Sequence, residues 1–328
     1  MRDKRIIAIA TGDPAGIGPE ISLKAALDAA VRHACRPLIV SDPALLKLHA
    51  QHCGIAAAFN VIARSTDADW TQDAVNVLDC SQGDLAALDF GTAAAPAGRA
   101  ALAFAGTAIK LALAREVDAV VAAPQNETSI ALAGISFDGH PSFVARETGS
   151  DKNDVFLMLC FGGTKIVHCT LHQSVRKAIS LITQERVLRA IEVTDRTLRQ
   201  IGIAGPRIAV SGLNPHAGEG GLFGDEESEI IKPAIDAAKA QGLAVSGPFG
   251  ADTIFQRPGI DAFVVMLHDQ GHIPAKLLAR NRASALSIGS PILFASVAHG
   301  SAHDIAGKGT ADPTAMIETV LRLAQSAQ

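Results

Sequence analysis

Two groups of residues in this 328-residue chain have the types and spacing to do chemistry. The first is the run His299-Gly300-Ser301-Ala302-His303-Asp304-Ile305-Ala306-Gly307-Lys308-Gly309. Its glycines let backbone amides approach a ligand closely. Asp304 can accept hydrogen bonds from both hydroxyls of a ribose, and its charge repels a 2′-phosphate, so it selects NAD over NADP. His299, Gly300, Asp304 and Gly307 are therefore candidate cofactor residues. The second group is His172, His216 and His268, each just past an apolar run. Neutral imidazoles in such positions suit Zn²⁺ or a similar divalent ion, with coordination positions left open for substrate. A lone histidine is more often a hydrogen-bonded structural residue, and these three are far apart in the chain, so their spacing leaves both readings open. His168, His272 and His303 lie near these motifs with weaker claims. Cys169 has no paired base at fixed spacing and reads as a buried thiol.

A third segment, Thr11-Gly12-Asp13-Pro14-Ala15-Gly16-Ile17-Gly18-Pro19-Glu20, follows an apolar run and opens a helix. Its glycines and early proline build a tight turn suited to an anion or a polar ligand, which adds Gly12 and Asp13 to the cofactor candidates. It is neither a phosphate-binding loop ending in Gly-Lys-Ser/Thr nor the dinucleotide fingerprint. The chain has no Gly-x-Ser-x-Gly nucleophile elbow.

These segments need elements to position them. Short Val/Ile-rich runs alternate with longer Ala/Leu stretches of helical period, the pattern of a layered α/β architecture. Strands are predicted at 5–10, 37–41, 119–123, 155–160, 165–170, 207–211, 262–267 and 285–288. Helices are predicted at 19–33, 97–115, 185–201, 226–241 and 313–326. Gly162-Gly163 between two strands predicts a hairpin, hence mixed sheets. The length exceeds one ordinary core, so two lobes are expected: 1–130 plus 280–328 for the cofactor, and 131–279 for metal, substrate and dimerisation.

Composition narrows the function classes. Hydrophobic residues at 48% and charged residues at 19% exclude disorder. A net charge of −4 without a basic block argues against nucleic acid and anionic membranes as partners. The five cysteines form no CxxC pair and read as reduced thiols. With no signal-like or membrane-spanning stretch, the reading is a cytoplasmic, soluble protein.

Together, Gly12 to Glu20, Gly212-Leu213-Asn214-Pro215-His216-Ala217-Gly218-Glu219-Gly220, Ala251-Asp252-Thr253, His268-Asp269-Gln270-Gly271 and the 299–309 loop resemble the 4-hydroxythreonine-4-phosphate dehydrogenase (PdxA) family. The resemblance runs from residue 5 to about 325. It implies a two-lobed α/β/α fold like that of isopropylmalate and isocitrate dehydrogenases, in which a very similar loop surrounds the adenosine of NAD. It also implies a homodimer whose active site is shared between subunits. On it, His172, His216 and His268 match the ligands of one divalent ion (zinc, or magnesium, manganese, cobalt or iron). His140 and Lys276 match substrate-contacting positions, and Asp252 and Asp269 form a carboxylate pair near the metal.

Departures from the family pattern bear on the substrate. Where a phosphorylated substrate is bound, the pattern has a threonine, an asparagine and an arginine; this chain has Pro141, Ala285 and Phe294. Pro124-Gln125-Asn126-Glu127 replaces Pro-Val-His-Lys. Without the guanidinium and the amide, a phosphate dianion loses much of its binding. Other stretches, including Val155 to Leu159, Thr170 to Arg176 and His268 to Gly289, resemble the terephthalate cis-dihydrodiol dehydrogenase branch. The expected reaction is metal-assisted oxidation of a secondary alcohol beside a carboxylate, with Lys276 or an aspartate as general base, followed by loss of CO₂. Two alternatives stand beside it: 4-hydroxythreonine-4-phosphate dehydrogenase itself, or a catalytically silent NAD- or metabolite-binding protein.

Overall fold

The computed structural model describes residues 4–325 apart from 84, 86, 280 and 281. The chain divides into two compact units, Met1–Gly149 with Pro291–Gln325, and Ser150–Ser290. The sequence reading put these divisions at 130 and 280; residue 280, like Ser326 at the end of the last predicted helix, lies outside the described residues.

Strands are numbered along the whole chain. The first unit holds β1 (Ile6–Ala10), β2 (Arg36–Ser41), β3 (Phe59–Ile62), β4 (Val75–Asp79), β5 (Ala119–Ala122) and β12 (Phe294–Val297). They lie in the order β3-β4-β2-β1-β5-β12, every adjacent pair parallel. A parallel sheet is covered on both faces, which is why β1 and β5 read as unbroken apolar runs. The helix Ala95–Leu113 packs Phe104, Ala105, Ala108 and Ile109 into the core with Leu38, Val40 and Phe294. Because the strands are parallel, the segments after β1, β5 and β12 leave the same edge of this sheet, where α/β folds place their ligands.

The second unit holds β6 (Phe156–Phe161), β7 (Thr164–His168), β8 (Arg207–Ser211), β9 (Ala244–Phe249), β10 (Ala262–Val265) and β11 (Ser284–Ile288), in the order β11-β6-β7-β10-β8-β9. Here the sheet is mixed. The pairs β11/β6 and β6/β7 are antiparallel, with Gly162-Gly163 turning the hairpin, and the remaining pairs are parallel. Neighbouring parallel strands β7, β10 and β8 lead into His172, His268 and His216 respectively, so topology alone carries all three histidine segments to one sheet edge.

Two predicted helices differ from the structure. The stretch 19–33 is broken at Asp28, which is extended and accepts hydrogen bonds from the amides of Ala30 and Val31, capping a new helix, Ala29–Ala34. The stretch 226–241 opens as a π-helical turn, Glu227–Ile231, before the α-helix Lys232–Ala240. Strands β3, β4, β9 and β12 and the helices Pro43–His52, Glu127–Leu132, His140–Thr148, Val175–Leu181 and His268–Ala279 were not predicted. No helix among the described residues is long and apolar enough to cross a membrane.

Candidate active site

In the first unit the turn after β1, the segment after β5 and the 299–309 loop are knitted together. Gly12, at φ 67°, lies so close to the Ala123 and Pro124 carbonyls that no Cβ fits. The amide of Asp13 donates to the Pro124 carbonyl (2.9 Å) and the amide of Ile17 to that of Ser301 (2.9 Å). The Asp13 side chain is fully buried, and both its oxygens are used: Oδ1 accepts from the Ala15 amide (3.1 Å) and Oδ2 from His303 Nε2 (2.6 Å). Asn126 caps the helix Glu127–Leu132 with Oδ1 on the Ser129 amide (2.8 Å), which turns its Nδ2 toward Ser301 Oγ (3.3 Å) and the His303 ring (3.2 Å). At the far end of the loop, buried Glu20 accepts from Lys24 Nζ (2.6 Å) and the Ala311 amide (2.9 Å), while Lys24 also donates to the Gly309 and Ala311 carbonyls.

Between these two anchors the loop faces outward. Gly300 borders open space, and half-buried His299 faces the Gly300 carbonyl through Nδ1 (3.1 Å). Asp304 is exposed, and among the described residues its carboxylate accepts no hydrogen bond; Lys308 Nζ donates to its backbone carbonyl instead (2.6 Å). Gly307 (φ 71°) lies against the Phe90 ring, where a Cβ would collide. The arrangement offers a free carboxylate and open backbone on a rigid base, which is what a ribose diol requires.

Beside this, Phe294 is 1% exposed, and its ring lies 5.4 Å from that of His140. Phe137 meets His140 edge-on at 5.7 Å. Burial pushes the imidazole down to about 4, so it is neutral, and its Nε2 is buried without a partner. Both polar side-chain atoms of Gln125 are likewise buried, and like His140 Nε2 they have no hydrogen-bond partner among the described residues. Glu127 is exposed and Pro141 opens the helix His140–Thr148.

In the second unit, the His172 and His268 rings lie 5.8 Å apart. Asp269 Oδ1 accepts from His268 Nδ1 (2.7 Å), leaving Nε2 as a lone-pair donor, the usual support for a ligating histidine. His272 stacks on His268 at 3.8 Å with the planes 9° apart. His168 Nδ1 faces the Leu157 carbonyl (3.4 Å), so its Nε2 accepts from His272 Nδ1 (3.1 Å). Burial, then neighbouring imidazoles, push His168 down to about 3 and His272 to about 4. These are neutral rings. Lys276, on the same helix one turn past His272, is exposed, as are Asp252 and Asp269. Ala285 is buried in β11 opposite Leu159.

His216 stands apart from that cluster, on a turn in which residues 216–220 all take left-handed dihedrals, three of them not glycine. Such residues are strained by roughly 1–2 kcal/mol each, so the turn needs an anchor. Glu227, 6% exposed, provides it by accepting from the amides of Leu213 (2.7 Å) and Asn214 (2.8 Å) and from Asn214 Nδ2 (2.9 Å). His216 and Asp252 both flank Gly250. Among the described residues no three His, Cys, Asp or Glu side chains converge closely enough to hold a metal ion. The chemistry of the donors fits a divalent ion, since His172 and carboxylate-backed His268 are paired imidazoles; His216 is the candidate that one chain does not bring to them.

Sequence reasoning gave His168, His272 and His303 little weight and passed over Ser301 and Glu227. A sharper signal was available in His268-x-x-x-His272, whose spacing puts both rings on one helix face.

Residues 33–324 match the family model described as pyridoxal phosphate biosynthetic protein PdxA. A 1,2-dihydroxy-3,5-cyclohexadiene-1,4-dicarboxylate dehydrogenase of Comamonas sp. is 43% identical over 97% of each chain. A putative D-threonate 4-phosphate dehydrogenase of Symbiobacterium thermophilum is 38% identical over 98% of this chain and 96% of its own. Among solved structures, 4-hydroxythreonine-4-phosphate dehydrogenase from Klebsiella pneumoniae superposes with a TM-score of 0.88 at 36% identity, covering 99% and 100% of the two chains. A terephthalate 1,2-cis-dihydrodiol dehydrogenase from Burkholderia xenovorans gives 0.73 at 39% over 98% of each. A β-decarboxylating dehydrogenase from Thermococcus kodakarensis shares the fold alone (0.51, 17%). These likenesses run nearly the full length of the chain, and the protein belongs to the PdxA family.

Proposed function

We propose that this protein is an NAD-dependent, decarboxylating dehydrogenase acting on a carboxylated cis-dihydrodiol of the terephthalate-dihydrodiol type. The observation that carries the substrate is Phe294, buried in the core against neutral His140 where the phosphate-binding pattern has arginine. An apolar ring at this position leaves a phosphate dianion no guanidinium to bind. The 43% identical relative named for such a substrate supports the same reading.

Asp304 and the open backbone of residues 299–309, with the Gly12 turn, hold the cofactor. His172, His268 and His216 would hold a divalent ion, the set being completed in a homodimer as the family resemblance implies. The exposed Ile273 and Leu277, one turn apart on the helix that carries His268, support a second copy covering that face. When bound, the ion supplies Lewis-acid stabilisation of negative charge on the substrate oxygen. Lys276 is the candidate general base for the hydroxyl proton, and NAD⁺, when bound, would supply the hydride acceptor. Asp252 and Asp269 are the other candidates, Asp269 chiefly orienting His268. The resulting ketone is β to a carboxylate; the C–CO₂⁻ bond breaks, its electron pair forms the enolate, and protonation gives the catechol ring.

The competing reading is a phosphorylated hydroxy acid substrate: the 38% identical relative is named for D-threonate 4-phosphate and the structure with the 0.88 TM-score for the amino acid 4-hydroxythreonine-4-phosphate. Purified protein with NAD⁺ and a divalent ion should form NADH with the dihydrodiol dicarboxylate and release one CO₂ per NADH. Faster turnover of 4-phosphohydroxy-L-threonine would overturn the substrate assignment. Binding of NADH with no turnover of either compound would revive the silent binding protein.

A further inference from the structure

We infer that His303 is a positioning residue for the cofactor: through its hydrogen bond to buried Asp13 it holds residues 299–309 in the conformation that presents Asp304. The inference rests on the reading of that loop as the ribose-binding segment.

Four observations support it. First, Asp13 is inaccessible and both carboxylate oxygens are already bonded, so it cannot itself reach a cofactor through its side chain. Its effect must pass through His303. Second, the backbone immediately before His303 is strained: Ala302 has φ 41° and ψ 59°, left-handed for a residue with a Cβ. Something must hold it there, and the 2.6 Å bond from Nε2 to a buried carboxylate is a strong one. Third, the surroundings are complementary. Asn126 is oriented by its cap on Ser129, so its amide fills the space beside the His303 ring and Ser301 Oγ, while Gly91 packs against the His303 carbonyl at a distance that excludes a Cβ. Fourth, Asp304 is the next residue. A change in the dihedrals at 302 or 303 therefore re-aims its carboxylate directly.

The proton positions follow from the partners. The Asp13 carboxylate oxygens accept, from the Ala15 amide and from His303, so Nε2 carries the hydrogen that His303 donates. Asn126 Nδ2, also a donor, then makes its hydrogen bond to Ser301 and packs beside Nε2. A glutamine at 303 can place an amide nitrogen near the Nε2 position; a leucine fills similar space and donates nothing.

The test is direct NADH binding by fluorescence titration of the full chain, which needs neither substrate nor metal. His303→Leu should raise Kd about tenfold, the effect of losing one hydrogen bond to a buried charge, and His303→Gln should recover most of it. In steady state, KM for NAD⁺ should rise far more than kcat falls. Asp304→Ala serves as the reference. If Asp304→Ala leaves NADH affinity unchanged, the ribose-binding reading of the loop fails. If it weakens binding while His303→Leu does not, the positioning role is wrong. The double variant should be clearly less than additive, because a misplaced carboxylate and a missing one have the same consequence; full additivity overturns the proposal. Should His303→Leu not fold, Asp13→Asn, which removes the charge from the acceptor but keeps the shape, must weaken NADH binding and leave the unfolding transition cooperative. Unchanged affinity there would equally refute it.

Discussion

The two candidate regions are built to different standards of completeness. The region of the first unit around the 299–309 loop is knitted within one chain: Asp13, Glu20 and Asn126 are buried or half-buried, hydrogen-bonded and linked to three segments, while Asp304 faces outward. The histidine region of the second unit is unfinished. Two imidazoles face each other, a third stands on a strained turn, and apolar side chains beside them are exposed. Buried polar networks give rigidity when every member is satisfied. Exposed apolar surface leaves such a region without that support. The first region is thus preorganised, whereas in the second the described residues do not bring three possible metal ligands together.

The largest expected effect tests the unfinished region. His268→Ala, which removes a ligand candidate together with its carboxylate support, should cut kcat by about a thousandfold, several kcal/mol of lost charge stabilisation, and abolish metal retention in equilibrium dialysis. NADH affinity should be unchanged. Loss of NADH binding in this variant would erase the division of labour between the regions.

Acid should next unlock the finished region. Burial pushes both His49 and His140 down to about 4 in the folded protein. Their folded values lie below the ordinary 6.5, so the unfolded chain takes up protons first. Stability is fully present above pH 6.5 and falls as the pH drops from 6.5 toward 4, by up to roughly 1.4 kcal/mol per pH unit for each group. Trp70, the single tryptophan, lies in the first unit and reports it. Urea midpoints followed by its fluorescence should drop between pH 7 and pH 5; a flat profile would mean that these histidines are not held neutral.

A smaller effect separates the units. Glu227→Ala leaves the Leu213 and Asn214 amides without their acceptor, Asn214 Nδ2 keeping Glu226 Oε2 (2.6 Å), and should cost the second unit about 3 kcal/mol, releasing the left-handed turn that carries His216. Circular dichroism should report the loss while the Trp70 transition stays put. A Trp70 shift of equal size would show that the units unfold as one. Smallest of all, Gly307→Ala forces a Cβ toward Phe90 at φ 71°, for about 1–2 kcal/mol. NADH affinity should fall modestly and the metal site should not notice. An unaffected affinity would mean that the loop tolerates more movement than its packing implies.

Much of the molecule was legible in the chain. The apolar runs at Ile6–Ala10 and Ala119–Ala122 announce buried parallel strands, and Gly162-Gly163 announces the hairpin, because each reflects a local rule of burial or turn geometry. Less legible were β3 (Phe-Asn-Val-Ile) and β12 (Phe-Ala-Ser-Val), whose apolar runs are broken by Asn60 and Ser296. The Asp28 break was hidden because Ala29–Ala34 continues the helical composition of the segment before it. Among functional residues, Asp13 was singled out as a cofactor contact; the structure gives its carboxylate to His303 and Ala15, 290 positions away in one case and two in the other. No spacing rule reveals a partner at that distance.

Residue identity by itself determined the chemical inventory: a carboxylate at 304, imidazoles at 172, 216 and 268, and an aromatic ring at 294. Those follow from side-chain chemistry, which does not depend on where the chain goes. Tertiary structure alone decided which groups remain available. Parallel strand order brings 13, 126 and 303 to one sheet edge, where Asp13 is consumed and Asp304 is spared. The same rule on the other sheet brings 172 and 268 together and lifts 272 from bystander to stacking partner. Availability is set by burial and by competing hydrogen bonds, and both are properties of packing between segments distant in sequence.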